Sequence, residues 1–161
     1  MLVVRRSQLR NVVLIACFML LCNVIQVAHA QNFTTASVYL RTSNSALSSG
    51  WSNIDYALYY NNGTYFYNTY SDLTDAYNNA YVASSYAYAG YLASPTTVNF
   101  YSYYYSYYNY YYVYYASLYA YYSYTLGPTY VLSLIAYIDL ADDANGSAAY
   151  YCGLSSVGGT R

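Results

Sequence analysis

Small or less bulky side chains interrupt a tyrosine-dense stretch at Asn99, Ser102, Ser106, Asn109, Val113, Ala116, Ala120, Ser123 and Gly127, in steps that alternate between three and four. Thirty-one of the 161 residues are tyrosine, and fifteen of them fall between Tyr101 and Tyr124. Tyrosine favours strands by propensity. A strand, however, would scatter these small residues over both faces. A helix gathers them into one seam, with the 3.5-residue repeat of helices packed nearly parallel or antiparallel.

The preceding segment obeys the same rule. Ala76, Ala80, Ala83, Ala87, Gly90 and Ser94 are separated by 4, 3, 4, 3 and 4. Pro95 stands between the two seams, and Thr96 or Thr97 can cap a new helix. The expected geometry is an antiparallel helical pair whose backbones approach along Ala, Ser and Gly, with tyrosines on both flanks. Upstream, Leu47, Trp51, Ile54 and Leu58 also have helical spacing. Downstream, Val131, Leu134, Ile138 and Ala141 do, with Asn145-Gly146 as the expected stop. The earlier helix of the pair starts either at Thr64, after Asn61-Asn62-Gly63, or at Ser71, with Asp72 and Asp75 in its first turn; Thr64 is preferred.

The expected fold class is therefore mainly α, an antiparallel helical hairpin or bundle with Ala/Ser/Gly seams and Tyr-rich faces. Its helices run from Ser37 to Tyr60, Thr64 to Ser94, Thr96 to Leu126 and Thr129 to Ala144. The segment 152–161, with three glycines, reads as a flexible tail. The rival is a low-complexity chain, disordered or β-aggregating before assembly. High aromatic content and low charge argue against stable solvated disorder.

Residues 1–30 have the form of a secretory signal peptide. Arg5, Arg6 and Arg10 precede an apolar run from Val12 to Cys22, and Ala28-His29-Ala30 offers the small residues of a cleavage site. A membrane anchor is the competing reading, but Asn23 and Gln26 interrupt the run short of the ~20 residues that span a bilayer. The expectation is a chain cleaved before Gln31 and secreted, with no stable membrane insertion afterwards. Residues 31–151 then form a Tyr-rich helical domain. The 131 mature residues contain no Lys, Glu, His or Met, and two arginines against six aspartates give a side-chain net charge of −4. Without clustered Lys and Arg, nucleic acid is excluded as a partner.

Cys152 is the one cysteine left after cleavage. Its alternatives are an interchain disulfide or a buried thiol. As a nucleophile it would need a base, and no histidine survives processing. Sequons at Asn32, Asn62 and Asn145 mark expected surface positions for N-glycosylation. Asp139, Asp142 and Asp143 share a helix face. They fit a solvated helix end better than a calcium site, which needs more oxygen ligands. No cofactor or metal site is expected, and the chain is expected not to be an enzyme.

The phenols carry the remaining chemistry. Oxidation to a radical couples one tyrosine to another; hydroxylation gives a catechol. Either step needs an external oxidase or peroxidase. With no lysine in the mature chain, quinone–amine tanning lacks side-chain partners, so tyrosine-to-tyrosine coupling is favoured. Candidate crosslinking residues are Tyr101, Tyr103, Tyr104, Tyr105, Tyr107, Tyr108, Tyr110, Tyr111, Tyr112, Tyr114 and Tyr115. The competing role for each ring is helix packing. In amino-acid usage and leader, the chain resembles tyrosine-rich secreted precursors of eggshells, cuticles, silks and bioadhesives, although the Gly- and Lys-containing repeats common among them are missing. The expected function is a non-enzymatic structural protein of an extracellular layer, self-associating or joined to other matrix proteins. The alternative is a soluble secreted helical protein that binds an apolar ligand or a protein partner through an aromatic groove.

Overall fold

The computed structural model describes residues 6–158, and among them there is no strand. Helix α1 spans Arg6–Tyr60, α2 Gly63–Ala93, α3 Thr97–Leu126 and α4 Val131–Gly158; a 3-10 turn, Pro128–Tyr130, leads into α4. Helix α1 packs on α2 and α4, and α3 on α2 and α4.

Local chemistry sets the breaks. Asn61 takes a positive φ of 47°, and Asn62 caps α2 by accepting the Thr64 amide at 3.0 Å. The start therefore falls beside Thr64. Ser71, Asp72 and Asp75 lie inside α2, and Asp72 is a tie rather than a cap: its Oδ2 accepts from Ser49 Oγ at 2.8 Å and Asn53 Nδ2 at 2.7 Å, joining α2 to α1. Thr96 Oγ1 accepts the Asn99 amide at 3.2 Å to open α3 after Pro95. Gly127 ends α3 at φ 104°, a left-handed backbone that L side chains resist.

Two boundaries differ from expectation. Helix α1 begins well before Ser37, because neither Pro nor Gly occurs before Gly50 to interrupt it; the residues expected to be a signal peptide and the first expected helix form one helix of 55 residues. Helix α4 does not close at Asn145-Gly146 but continues through Cys152 to Gly158, where a flexible tail is expected. The seam explains this. Asn145 is buried, with Nδ2 donating to the Leu40 carbonyl at 3.1 Å, and Ala148, Cys152 and Ser155 continue the buried line. Residues 159–161 of that segment, and Arg5 of the expected signal peptide, lie outside the described residues.

Burial follows the seams. On α3 the buried residues are the seam positions from Asn99 to Ser123 and no others. The same three-and-four spacing runs from Phe33 to Ala57 on α1 and from Leu134 to Ser155 on α4. Because α3 contributes mostly Ala, Ser and Asn, the large core side chains come from its neighbours: Phe33, Leu40, Leu47 and Ile54 on α1, Leu73 on α2, Leu134 and Ile138 on α4. Each contributes about 1.5–3 kcal/mol by leaving water. The apolar core falls into two clusters, one around Leu47, Leu73 and Ile138, the other around Phe33, Leu40 and Cys152. Ser43 and Asn145 sit between them along α1 and α4. Ser43 Oγ donates to the Ala76 carbonyl at 3.0 Å, so this polar position fastens α1 to α2.

Candidate functional site

Tyrosine occupies every position of α3 from 101 to 124 that the seam leaves, except Ser117 and Leu118. None of the 31 tyrosines is fully buried. The α3 seam carries only Asn, Ser, Ala and Val, so its phenols spread over the two flanks and the outer face.

On the flank toward α2, Tyr124 meets Tyr67 at a ring-centroid distance of 5.4 Å, Tyr121 meets Tyr70 at 5.5 Å, Tyr110 meets Tyr77 at 5.3 Å and Tyr103 meets Tyr88 at 5.0 Å. Residue numbers fall on one helix as they rise on the other, so the helices run antiparallel. Toward α4, Tyr101 and Tyr105 meet Tyr151 at 5.3 and 5.5 Å, Tyr115 and Tyr119 meet Tyr137 at 5.2 and 5.4 Å, and Tyr122 meets Tyr130 at 5.4 Å. Along the outer face Tyr104 and Tyr108 lie 4.6 Å apart, Tyr108 and Tyr112 5.7 Å, and Tyr111 and Tyr115 4.9 Å. Such pairs contribute about 0.5–1.5 kcal/mol beyond the area they bury.

The candidate crosslinking residues thus divide by position. Tyr101, Tyr104, Tyr107, Tyr111 and Tyr114 are exposed; Tyr103, Tyr105, Tyr108, Tyr110, Tyr112 and Tyr115 are half-buried between helices or beneath neighbouring rings. Hydrogen bonding to Tyr108 raises the Tyr104 pKa above 10.0, and Tyr115 does the same for Tyr111. For Tyr110 the largest cause is hydrogen bonding to Tyr77, followed by burial. In each case a neighbouring phenol stabilises the protonated form.

Between these rings lie open grooves. One of about 360 Å³ is lined by residues that include Tyr104, Tyr105, Tyr108, Tyr112, Leu140 and Asp143. A smaller one, about 220 Å³, is walled by Tyr107, Tyr110, Tyr111, Tyr114 and Tyr115.

The other sequence candidates fall elsewhere. Cys152 is buried, its Sγ 4.0 Å from Ser106 Oγ, and burial pushes its pKa up to about 11. That is the buried-thiol alternative; an interchain bridge would require α4 to lift away. Asn62 is exposed at the α1–α2 turn, and Asn32 is half-buried on α1. Asn145, expected at the surface, is 3 % exposed, and its amide nitrogen already serves Leu40. Asp139, Asp142 and Asp143 are exposed in the middle of α4, not at a helix end. Among the described residues no group of three or more His, Cys, Asp or Glu comes together.

No protein-family profile matches this chain, and neither curated proteins nor solved structures give a match.

Two sets of residues escape a reading confined to the tyrosine run. Tyr67, Tyr70, Tyr77, Tyr81, Tyr88 and Tyr91 on α2, Tyr130 in the 3-10 turn, and Tyr137 and Tyr151 on α4 supply the flank partners. The signal was available, since each lies beside a seam position. Asn109 is the other: it is fully buried, and neither its Oδ1 nor its Nδ2 has a partner among the described residues.

Proposed function

We propose that the chain is a non-enzymatic, secreted structural protein of an extracellular layer, associating with copies of itself or other matrix proteins and crosslinked through tyrosine. The small-residue seams make a compact helical scaffold, and the scaffold holds phenols outward. One observation carries this reading: Tyr104, Tyr107, Tyr111 and Tyr114 form an exposed line on the outer face of α3, between 38 % and 44 % accessible. A second chain or an oxidising enzyme can reach these rings, while the seam beneath them cannot be reached.

The chemistry balances with a peroxidase and hydrogen peroxide. The peroxide removes one hydrogen atom from each of two phenols and leaves as two water molecules. The two phenoxyl radicals join through ring carbons ortho to oxygen, and the displaced ring hydrogens return to the oxygens. Coupling between chains uses the outward rings. Coupling within a chain uses close pairs such as Tyr104 and Tyr108.

The second reading is a soluble binding protein. The groove of about 360 Å³ beside Tyr104 and Leu140 supports it, being aromatic and within the ~300–1,000 Å³ range of small-molecule sites. The experiment is acid hydrolysis of the native source material with mass spectrometry for dityrosine. Peroxidase treatment of the purified chain, with peptide mapping, accompanies it. Dityrosine in the material, mapping to Tyr104, Tyr107, Tyr111 or Tyr114, is the expected result. Native material without dityrosine, yielding the protein as an unmodified monomer, would overturn the matrix reading in favour of the soluble one.

A further inference from the structure

All but six of the 31 tyrosines belong to one unbroken network of phenols in which no linking ring-centroid distance exceeds 6.5 Å. The six outside it are Tyr39 and Tyr86, which stack on each other, and Tyr56, Tyr59, Tyr60 and Tyr65, grouped at the α1–α2 turn. The network follows the whole of α3 and draws α2 and α4 in from both sides. At 1.5 Å per residue, the span from Tyr101 to Tyr124 is about 35 Å.

We infer that this network is a radical relay, which carries an oxidising equivalent received at one phenol to phenols at the far end of the molecule. Each step is a hydrogen-atom exchange: a phenoxyl radical takes the electron and proton of a neighbouring phenol and becomes a phenol, and the neighbour becomes the radical. Nothing is consumed, and between like groups the exchange has no large driving force in either direction. The first radical comes from a one-electron oxidant, in nature the peroxidase that also drives crosslinking; only in this respect does the relay rest on the crosslinking reading.

Two features suit the network to this task. Ring contact lets the electron pass, at 4.6 Å between Tyr104 and Tyr108 and 5.3 Å between Tyr110 and Tyr77, and the hydroxyl of the neighbouring phenol offers the proton an acceptor. The relay also separates the site of attack from the site of coupling. An oxidant that reaches only one end of the bundle still activates the outward line from Tyr104 to Tyr114.

Connectivity supplies the test. Among the described residues, Tyr121 alone joins Tyr67, Tyr70 and Tyr124 to the rest, through Tyr70 at 5.5 Å on one side and Tyr122 at 6.2 Å on the other. A ruthenium polypyridyl photo-oxidant is attached to the full chain at Ser71→His, an exposed position one helical turn from Tyr67. The chain is held dilute on a resin to prevent contact between copies and oxidised by flash–quench with chloropentaamminecobalt(III), an irreversible quencher that releases no oxidising radical. Modified tyrosines are then mapped by mass spectrometry. Oxidation products at Tyr104, Tyr107 and Tyr111, lost when Tyr121→Phe is added while those at Tyr67 and Tyr70 persist, are expected. Helical circular dichroism establishes that the Tyr121→Phe chain is folded. Products confined to Tyr67 and Tyr70 in the chain with Tyr121 intact, or an unchanged map in Tyr121→Phe, would overturn the relay. Neither result touches the crosslinking proposal, which stands or falls on dityrosine in the native material.

Discussion

The ring of Phe33 lies directly over Gly90: a Cβ placed on that glycine would sit 2.6 Å from both Cε2 and Cζ of the phenyl group. Phe33 is fully buried, so its ring has no empty space into which to withdraw. Overpacking of this kind costs about 1–3 kcal/mol, against about 1 kcal/mol gained by replacing a mid-helix glycine with alanine. Gly90→Ala is therefore expected to lower stability by about 1 kcal/mol, the difference between those two effects. Gly146, inside α4, has nothing within 4 Å of the place an added methyl group would take, so Gly146→Ala is expected to raise stability by about 0.5–1 kcal/mol. Urea unfolding of the two variants checks the opposite signs; two shifts in the same direction would contradict the close approach of α1 and α2.

Two buried asparagines have opposite expectations. Asn145 Nδ2 donates to the Leu40 carbonyl at 3.1 Å, so Asn145→Ala loses a hydrogen bond between α4 and α1 and should cost about 1 kcal/mol. Asn109 is equally buried, but its amide meets no partner among the described residues. Leaving such a group desolvated costs about 1–3 kcal/mol, so Asn109→Ala should stabilise, by about 1 kcal/mol once the small void it leaves is subtracted. Denaturation midpoints measured side by side distinguish the cases.

The α3 seam was legible in the residue pattern because its small side chains stand out against the tyrosines, and the three-and-four rhythm of Asn99 to Ser123 recurs in the burial of α3. Helix α2 began beside Thr64 because Asn61-Asn62-Gly63 is a strong break. Helix α4 runs past Asn145-Gly146 because that pair is a stop signal only locally, whereas the contact of a seam asparagine with Leu40 is tertiary. The same contact turned an expected surface sequon into a buried residue. Tyrosine density pointed to α3, but the partners on α2 and α4 depend on pairing between helices, which spacing within one segment does not specify.

Cys152 sets an alkaline limit. Burial raises its thiol from the ordinary 9.0 to about 11, while hydrogen bonding from Ser106 and Ser102 partly opposes the rise. The folded state thus holds the proton more tightly than the unfolded chain. Its stabilising effect is fully present below pH 9.0 and is lost as pH rises toward about 11, by about 2–3 kcal/mol in all. The raised pKa values of Tyr104, Tyr110 and Tyr111 act in the same direction at higher pH. Cys152→Ala should flatten the decline in unfolding free energy between pH 9.0 and 11, and an equally steep decline in the variant would place the thiol in water.

Of the three sequons, only Asn62 offers an exposed side chain on a turn. Its Oδ1 caps α2 and leaves Nδ2 available, so a glycan there is compatible with the fold. Expression in a glycosylating host should give a mass increment that Asn62→Gln removes and Asn145→Gln leaves in place. Retention of the increment in Asn62→Gln would contradict this assignment. Asn62→Ala should also cost about 1 kcal/mol, from the lost cap.

His29 gives the N-terminal half of α1 a measurable effect on the bundle. Its Nε2 lies 2.7 Å from Asn99 Nδ2, and its ring stands edge-on to Phe33 at 5.0 Å. Burial lowers its pKa below 6.5 more than the Asn99 contact raises it. The folded chain therefore refuses a proton that the unfolded chain accepts, and this contribution, present above pH 6.5, is lost as pH falls. A chain cleaved before Gln31 has no histidine and cannot show the effect. Urea unfolding of intact and cleaved chains, from neutral pH to just above the carboxylate range, should reveal acid weakening in the intact chain alone. His29→Gln in the intact chain should abolish it. Identical pH profiles for all three would mean that His29 is solvated and that α1 leaves the bundle before it reaches Asn99.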